Sequence, residues 1–244
     1  MLRSGAGRRT TAQSASYWVA GATFQGRRDF MASLIAAGTS LWLGAGAPAA
    51  RAAEAPIRVV ALGDSLTAGF GLPAEDSFAA KLQAALRANG HAVEVNNAGV
   101  SGDTTTGGLA RLEWSVPEGT EAVILELGAN DALRGLDPDV TRRALDEIMR
   151  RLTARSIPVL LCGMLAPPNL GTEYEQRFNS IFPDLAETYR AWLYPFFLQD
   201  VAGLAELNQR DGLHPTAAGI DIIVRNILPQ AEQLIAKARE RRNG

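Results

Sequence analysis

Ser65 follows Gly63-Asp64, at the point where the apolar run Val59–Leu62 stops. A serine hydroxyl becomes a useful nucleophile only when a base takes its proton. His214 is the available base, because the other histidine, His91, opens a short strand at the far end of the sheet from Ser65. Asp211 precedes His214 by three residues in Asp211-Gly212-Leu213-His214-Pro215, so the two can meet across a short turn. There a carboxylate can hold the imidazole in one tautomer and stabilise the imidazolium. Asn130, in Leu127-Gly128-Ala129-Asn130-Asp131, carries an amide able to donate to developing negative charge. A glycine in Asn97-Ala98-Gly99-Val100-Ser101-Gly102-Asp103-Thr104 lets backbone N–H groups come close to an oxyanion. Each stretch also has a plain structural role open to it. Ser65 can cap a helix, Asn130 can make an Asx-turn, and the Asn97 and His214 stretches can be simple turns. Asp64 reads as a cap or turn residue.

Residues this far apart in sequence need a scaffold to meet. Ile57–Leu62 has the short apolar run of a buried strand. Glu75–Asn89 carries apolar residues at Phe78, Leu82, Ala85 and Leu86, a helical spacing that stops at Asn89-Gly90. His91–Val95 alternates as a second strand, and Asn96–Thr106 has loop composition. Helices are predicted at Leu109–Val116, Val140–Ala154, Tyr174–Tyr189 and Thr216–Arg241, the last with Pro229 inside it. Further strands are predicted at Ala122–Leu127, Pro158–Leu165 and Trp192–Leu198, with a Pro-rich loop at Ala166–Gly171. Strands alternating with helices imply parallel pairing and right-handed crossovers. The expected fold is a three-layer α/β/α sandwich with about five parallel strands in one domain. Its parallel strands would bring all four stretches to one carboxyl edge, where such sheets hold ligands.

Taken in order, the four stretches resemble the blocks of the SGNH hydrolases: GDSL, N-x-x-x-S-G, G-x-N-D and D-x-x-H-P. The resemblance runs from about Ile57 to the last helix. Residues 101–112, Leu133-Arg134-Gly135-Leu136 and the loop 166–173 are similar to the bacterial multifunctional esterase, thioesterase and lysophospholipase subgroup. The resemblance implies a flavodoxin-like α/β/α sandwich that works without a metal or organic cofactor. It implies Ser65 as nucleophile, His214 as base and Asp211 as its orienter. The N–H groups of Ser65 and Gly102, with the Asn130 side chain, would form the oxyanion hole. The substrate implied is a small-molecule acyl or aryl ester, a thioester or a lysophospholipid. Thr67 stands where many relatives carry serine. Leu165, Pro167, Tyr174 and Phe178, with Phe182, are expected along an acyl groove, although helix packing explains the three aromatics equally well. Turn-rich composition suggests that Ala129–Pro138, hinged at Gly135, and Ala166–Thr172 close over the substrate.

Other function classes fit less well. The G-x-S-x-G elbow of α/β-hydrolases is absent, since Thr67 stands at its second glycine. No P-loop motif occurs. Gly69-Phe70-Gly71 after a strand invites a non-catalytic dinucleotide-binding module, but Pro73 and Ala74 break that pattern. Within the hydrolases, a carbohydrate O-acetylesterase is the alternative. Two histidines and no C-x-x-C leave little for a transition-metal site, and the single cysteine, Cys162, sits in an apolar run and allows no intramolecular disulfide.

Hydrophobic residues make up 47% of the 244, ordinary for a globular chain. Six of the 24 basic residues and one of the 26 acidic ones precede residue 53. The remainder therefore has 18 basic and 25 acidic side chains, a net charge near -7 that argues against nucleic-acid binding. It also gives no reason to expect attraction to anionic lipid. The basic start has the order of an export leader. Arg27-Arg28 precedes Asp29-Phe30-Met31 and an uncharged stretch, Ala32–Ala47, and resembles a twin-arginine signal. Ala50-Arg51-Ala52 fits a cleavage site before Ala53, and Ala47-Pro48-Ala49 is a second one. Residues 1–52 are thus expected to be a cleaved signal and 53–244 the hydrolase domain, periplasmic or secreted, with no membrane span after processing. An uncleaved anchor is the alternative, since the stretch is about long enough to span.

Overall fold

The computed structural model describes residues 55–244, so the expected leader lies outside the described residues. The chain opens with β1 (Ile57–Gly63), buried except at Arg58. It passes through the one-turn α1 (Ser65–Ala68) and a 3-10 turn at Ala74–Asp76 into α2 (Phe78–Ala88) and β2 (Val93–Gly99). Two short helices, α3 (Thr105–Ala110) and α4 (Leu112–Ser115), lead to β3 (Ala122–Glu126). Next come α5 (Ala129–Leu133), α6 (Pro138–Ala154) and β4 (Val159–Cys162). A 3-10 turn at Pro168–Leu170 precedes α7 (Thr172–Asn179), α8 (Ile181–Tyr189) and β5 (Trp192–Tyr194), and a long loop ends in α9 (Ala217–Asn243).

The strands form one parallel sheet in the order β2-β1-β3-β4-β5. Val59–Leu62 of β1 and Ala122–Leu125 of β3 are continuous apolar runs because parallel strands are covered on both faces. Helices α2 and α9 pack together over the sheet, while α3, α6 and α8 form a second contiguous group. Helix α9 buries Ile220, Ile223, Val224, Ile227, Leu234 and Ile235, a three-and-four spacing that lays one apolar stripe on the sheet. The order is that of flavodoxin-like folds, whose direction reverses between β1 and β3. The α/β/α sandwich of five parallel strands is therefore the fold of this chain.

The sequence reading differs from the structure where side-chain pattern and backbone pairing part company. β2 runs past Val95 to Gly99, because Asn96–Gly99 pair with Val60–Gly63 of β1. This is an edge strand, and its polar residues face solvent, so its composition resembles a loop. The helix expected over Glu75–Asn89 starts at Phe78, where the Ser77 side chain accepts from the Ala80 N–H. The helix expected over Tyr174–Tyr189 divides at Ser180, since Pro183 cannot donate to Asn179. β5 stops before Pro195, which has no ladder donor. β4 stops at Cys162, fully buried, and Gly163 then bonds to Tyr194 and Phe197 instead. Residues 129–138 are no open loop: α5 fills half of them, and Pro138 opens α6 behind an Asp137 cap. Among the described residues no helix is long and apolar enough to cross a membrane.

Candidate active site

Each functional side chain is delivered by the end of a strand or by the loop before α9. β1 ends at Gly63, and Asp64 caps α1 by accepting from the Leu66 N–H at 3.0 Å. Ser65 thereby becomes the first residue of α1, 8% exposed. Only glycine fits at position 63: a Cβ there would run into Thr67 Oγ1 and lie 2.6 Å from Glu126 oxygens.

The loop before α9 is stapled from several sides. Asn208 donates to the carbonyls of Val201 and Leu204 at 2.6 and 2.8 Å. The Gln209 N–H meets the His214 carbonyl at 2.7 Å, and the Gln209 amide reaches the Phe70 carbonyl at 2.7 Å. His214 is thus fixed against the turn that follows Ser65, and its ring lies 4.5 Å from that of Phe70. The same contact fills Gly69-Phe70-Gly71, since a Cβ on Gly71 would collide with the Gln209 amide.

Ser65, His214 and Asp211 form one line of contacts. His214 Nε2 lies 2.9 Å from Ser65 Oγ, and His214 Nδ1 lies 2.6 Å from Asp211 Oδ2. Asp211 Oδ1 accepts the Leu213 and His214 N–H groups at 2.9 and 3.0 Å. The Leu213 N–H, the imidazole and the His214 N–H hold the Asp211 carboxyl down at about 2. With Nδ1–H directed at Asp211, Nε2 faces the serine as an acceptor.

The other oxyanion candidates come from α5 and from the loop after β2. Asn130, on α5, donates from Nδ2 to the Asp103 carbonyl at 2.9 Å and to Asp64 Oδ2 at 3.2 Å. Gly102 precedes Asp103 in the loop after β2, with φ at +83° and its carbonyl bonded to Arg134 at 2.8 Å. Arg111 ties this loop to the strand ends: it pairs with Asp103 at 2.6 Å and donates to the carbonyls of Gly63 and Ala98 at 2.8 Å. Asp131 turns away, accepting from Thr105 and Thr141 in the interior.

Beneath Ser65 lies a buried acidic pair. Burial pushes the Asp64 carboxyl up to about 6, against the lowering pull of the Leu66 N–H and the Asn130 amide. Burial, then the charge of Asp64, pushes Glu126 well above the usual carboxylate range. Glu126 Oε2 accepts from Thr67 Oγ1 at 2.7 Å and from the Asp64 N–H at 3.4 Å. The sequence reading missed Glu126, although a lone acid in the apolar run of β3 was a signal. It also missed Phe70 and Gln209, which nothing in the local pattern distinguishes.

A cavity of about 200 Å³ opens beside Ser65, Asn130 and His214. Its walls are Leu133, Met164, Leu165, Pro167, Phe196 and Leu213, among others. Leu165 and Pro167 therefore stand where expected. Tyr174, Phe178 and Phe182 do not line it. Phe178 and Phe182 are in the core, and Tyr174 stacks on Phe178 and donates to the Leu136 carbonyl at 2.8 Å. Their four-residue spacing turns all three toward the core, across the break between α7 and α8. A larger groove, about 340 Å³, opens at the amino ends of β4 and β5 among Thr153, Ser156, Trp192 and Lys237, with no histidine in its walls. Among the described residues no cluster of His, Cys, Asp or Glu is placed to hold a metal ion.

Known proteins share this arrangement of sequence and fold. The model of the GDSL-like Lipase/Acylhydrolase family matches residues 61–222. Esterase TesA of Pseudomonas aeruginosa is 38% identical over 157 residues, covering 64% of this chain and 78% of the relative. The Escherichia coli K12 protein named thioesterase 1/protease 1/lysophospholipase L1 is 35% identical over 142 residues, 58% of this chain and 68% of the relative. The crystal structure of AlinE4, an SGNH-hydrolase family esterase, has a TM-score of 0.62 and 46% identity, covering 73% of this chain and 96% of its own.

Proposed function

The chain belongs to the GDSL-like lipase/acylhydrolase family, and from that premise we propose that it is a serine hydrolase cleaving carboxylic esters or thioesters through an acyl-enzyme. One observation carries this: the unbroken contact line from Asp211 through His214 to Ser65 Oγ, at 2.6 and 2.9 Å. His214 Nε2 takes the Ser65 proton as Oγ bonds to the acyl carbon. The carbonyl electrons move to oxygen, and the N–H groups of Ser65 and Gly102 with Asn130 Nδ2 hold the oxyanion. As the tetrahedral species collapses, the imidazolium protonates the departing alcohol or thiol. Water then repeats the sequence on the acyl-enzyme and frees the acid. Asp211, ionised at any working pH, stabilises the imidazolium in both halves.

The apolar walls beside Ser65, Leu165 and Pro167 among them, support an acyl group as the part held in the cavity. The names of the relatives support esters and thioesters alike. Hydrolysis of p-nitrophenyl esters from acetate to palmitate, beside labelling of Ser65 by a fluorophosphonate, tests the reading. Ester turnover with an optimum at some chain length, and a label on Ser65 alone, is the expected result. A folded protein that turns over none of these esters and takes no label would overturn it. Export is part of the proposal: Arg27-Arg28 and the small-residue end at Ala52 support cleavage before Ala53. The mature amino terminus, read on protein recovered from the periplasm, checks that.

A further inference from the structure

We infer that Asp64 is a positioning residue for the oxyanion hole: its carboxylate fixes which way the Asn130 amide faces, so that Nδ2 rather than Oδ1 meets the charge developing on the substrate oxygen. The inference rests on the oxyanion role proposed above for Asn130. An asparagine side chain offers a donor on one side and an acceptor of the same size on the other. Shape alone does not choose between them, and the wrong choice places a lone pair against the oxyanion. Partners make the choice. Asn130 Nδ2 faces two groups that can only accept when Asp64 is ionised, the Asp103 carbonyl at 2.9 Å and Asp64 Oδ2 at 3.2 Å. Turning the amide would set Oδ1 against both oxygens, one of them on the buried Asp64, with no donor there to compensate.

Asp64 is itself held still. It is fully buried, its Oδ1 accepts the Leu66 N–H at 3.0 Å, and its own N–H donates to Glu126 Oε2 at 3.4 Å. Glu126 is anchored in turn by Thr67 at 2.7 Å. The row Thr67, Glu126, Asp64, Asn130 thus runs from the sheet to the amide. Nδ2 has two hydrogens and already meets two acceptors, so an oxyanion at Ser65 would share one of them.

The test is a double-mutant cycle at pH 8, measuring kcat and KM on p-nitrophenyl butyrate for the native protein, Asp64→Asn, Asn130→Ala and both together. Asn130→Ala should cost ~100- to 1000-fold in kcat. Asp64→Asn keeps an acceptor for the Leu66 N–H but turns a donor toward Asn130. Its kcat should fall ~10-fold or more without passing that of Asn130→Ala, with KM moving less than about twofold. The double variant should match Asn130→Ala, because an amide that is gone cannot be misaimed. A loss from Asp64→Asn that recurs in full in the Asn130→Ala background overturns the inference, as does full activity in Asp64→Asn. If Asn130→Ala costs nothing, the oxyanion role of Asn130 fails first and takes the positioning role with it. Circular dichroism and melting identify folded protein. Should Asp64→Asn not fold, Asp64→Ser, able to cap but too short to reach Asn130, replaces it in the same cycle.

Discussion

Asp64 and Asp211 both lie within two contacts of Ser65, and their surroundings drive them in opposite directions. Asp211 sits on the loop before α9, its side chain 37% exposed, and backbone N–H groups with the imidazole hold it at about 2. Asp64 sits at the closed end of β1, fully buried, and rises to about 6 although it too accepts a backbone N–H and a side-chain donor. The donors are similar in kind, so desolvation decides the difference. One carboxylate remains charged and can answer a cation. The other holds a neutral donor in place and is costly to ionise. A single fold sets both within one site, and this contrast is open to attack by substitution.

The widest separation comes from removing the nucleophile or the exposed carboxylate that serves its base. Ser65→Ala should lower kcat on the order of 10⁴-fold or more, and Asp211→Asn about 10⁴-fold, since the imidazolium loses its counter-charge. Asp64→Asn should stay within the ~1000-fold ceiling of one oxyanion donor. Equal losses for the two asparagine variants in steady-state kinetics would erase the contrast.

The next effect is on stability against pH. Folded Asp64 keeps its proton up to about pH 6, whereas its ordinary value is 3.8. Its contribution is therefore fully present below 3.8 and is lost as pH rises through 6, by up to ~3 kcal/mol. Glu126, raised for the same reason, acts in the same sense. Denaturant melts of the native protein and Asp64→Asn should show the variant gaining relative stability between pH 4 and pH 7. A constant difference across that range would mean Asp64 is not a buried acid.

Smaller effects probe the packing between the two. Gly63→Ala puts a methyl group against Thr67 and within 2.6 Å of Glu126. It should cost ~1–3 kcal/mol in urea unfolding; an unchanged midpoint would show slack in the β1 exit. On the exposed side, Phe70→Ala removes the ring 4.5 Å from His214. A contact of ~0.5–1.5 kcal/mol predicts a two- to tenfold drop in kcat/KM, and no drop would make the ring a bystander.

The Ser65, Asp211 and His214 half of the site was the legible half. Ser65, Asp211 and His214 stand in short stretches with turn residues, each ending an apolar run or facing solvent, and parallel topology alone places their loops on one edge. The buried half was hidden by the same logic. Glu126 ends β3, where apolar neighbours on both sides announce a strand and mask the one acid in the run. Asp64 was read as a cap, which it is, but the cap uses only one of its oxygens. Tyr174 and Phe178 suit a groove wall and a packed helix face equally well by type and spacing; packing prevails, with Phe178 buried and Tyr174 stacked on it. Edge pairing in β2 left no trace in its side chains, since only the backbone of β1 specifies it.

The contact between Ser65 and His214 joins residues 149 positions apart. The nucleophile's turn can form among near neighbours, while its base arrives only when the stapled loop and α9 have docked on a finished sheet. Loops closed over such lengths come late in folding, because their entropy must be overcome first. Hydrolytic competence is therefore a property of the completed chain: it should trail the recovery of secondary structure during refolding and vanish early when the carboxyl-terminal segment frays.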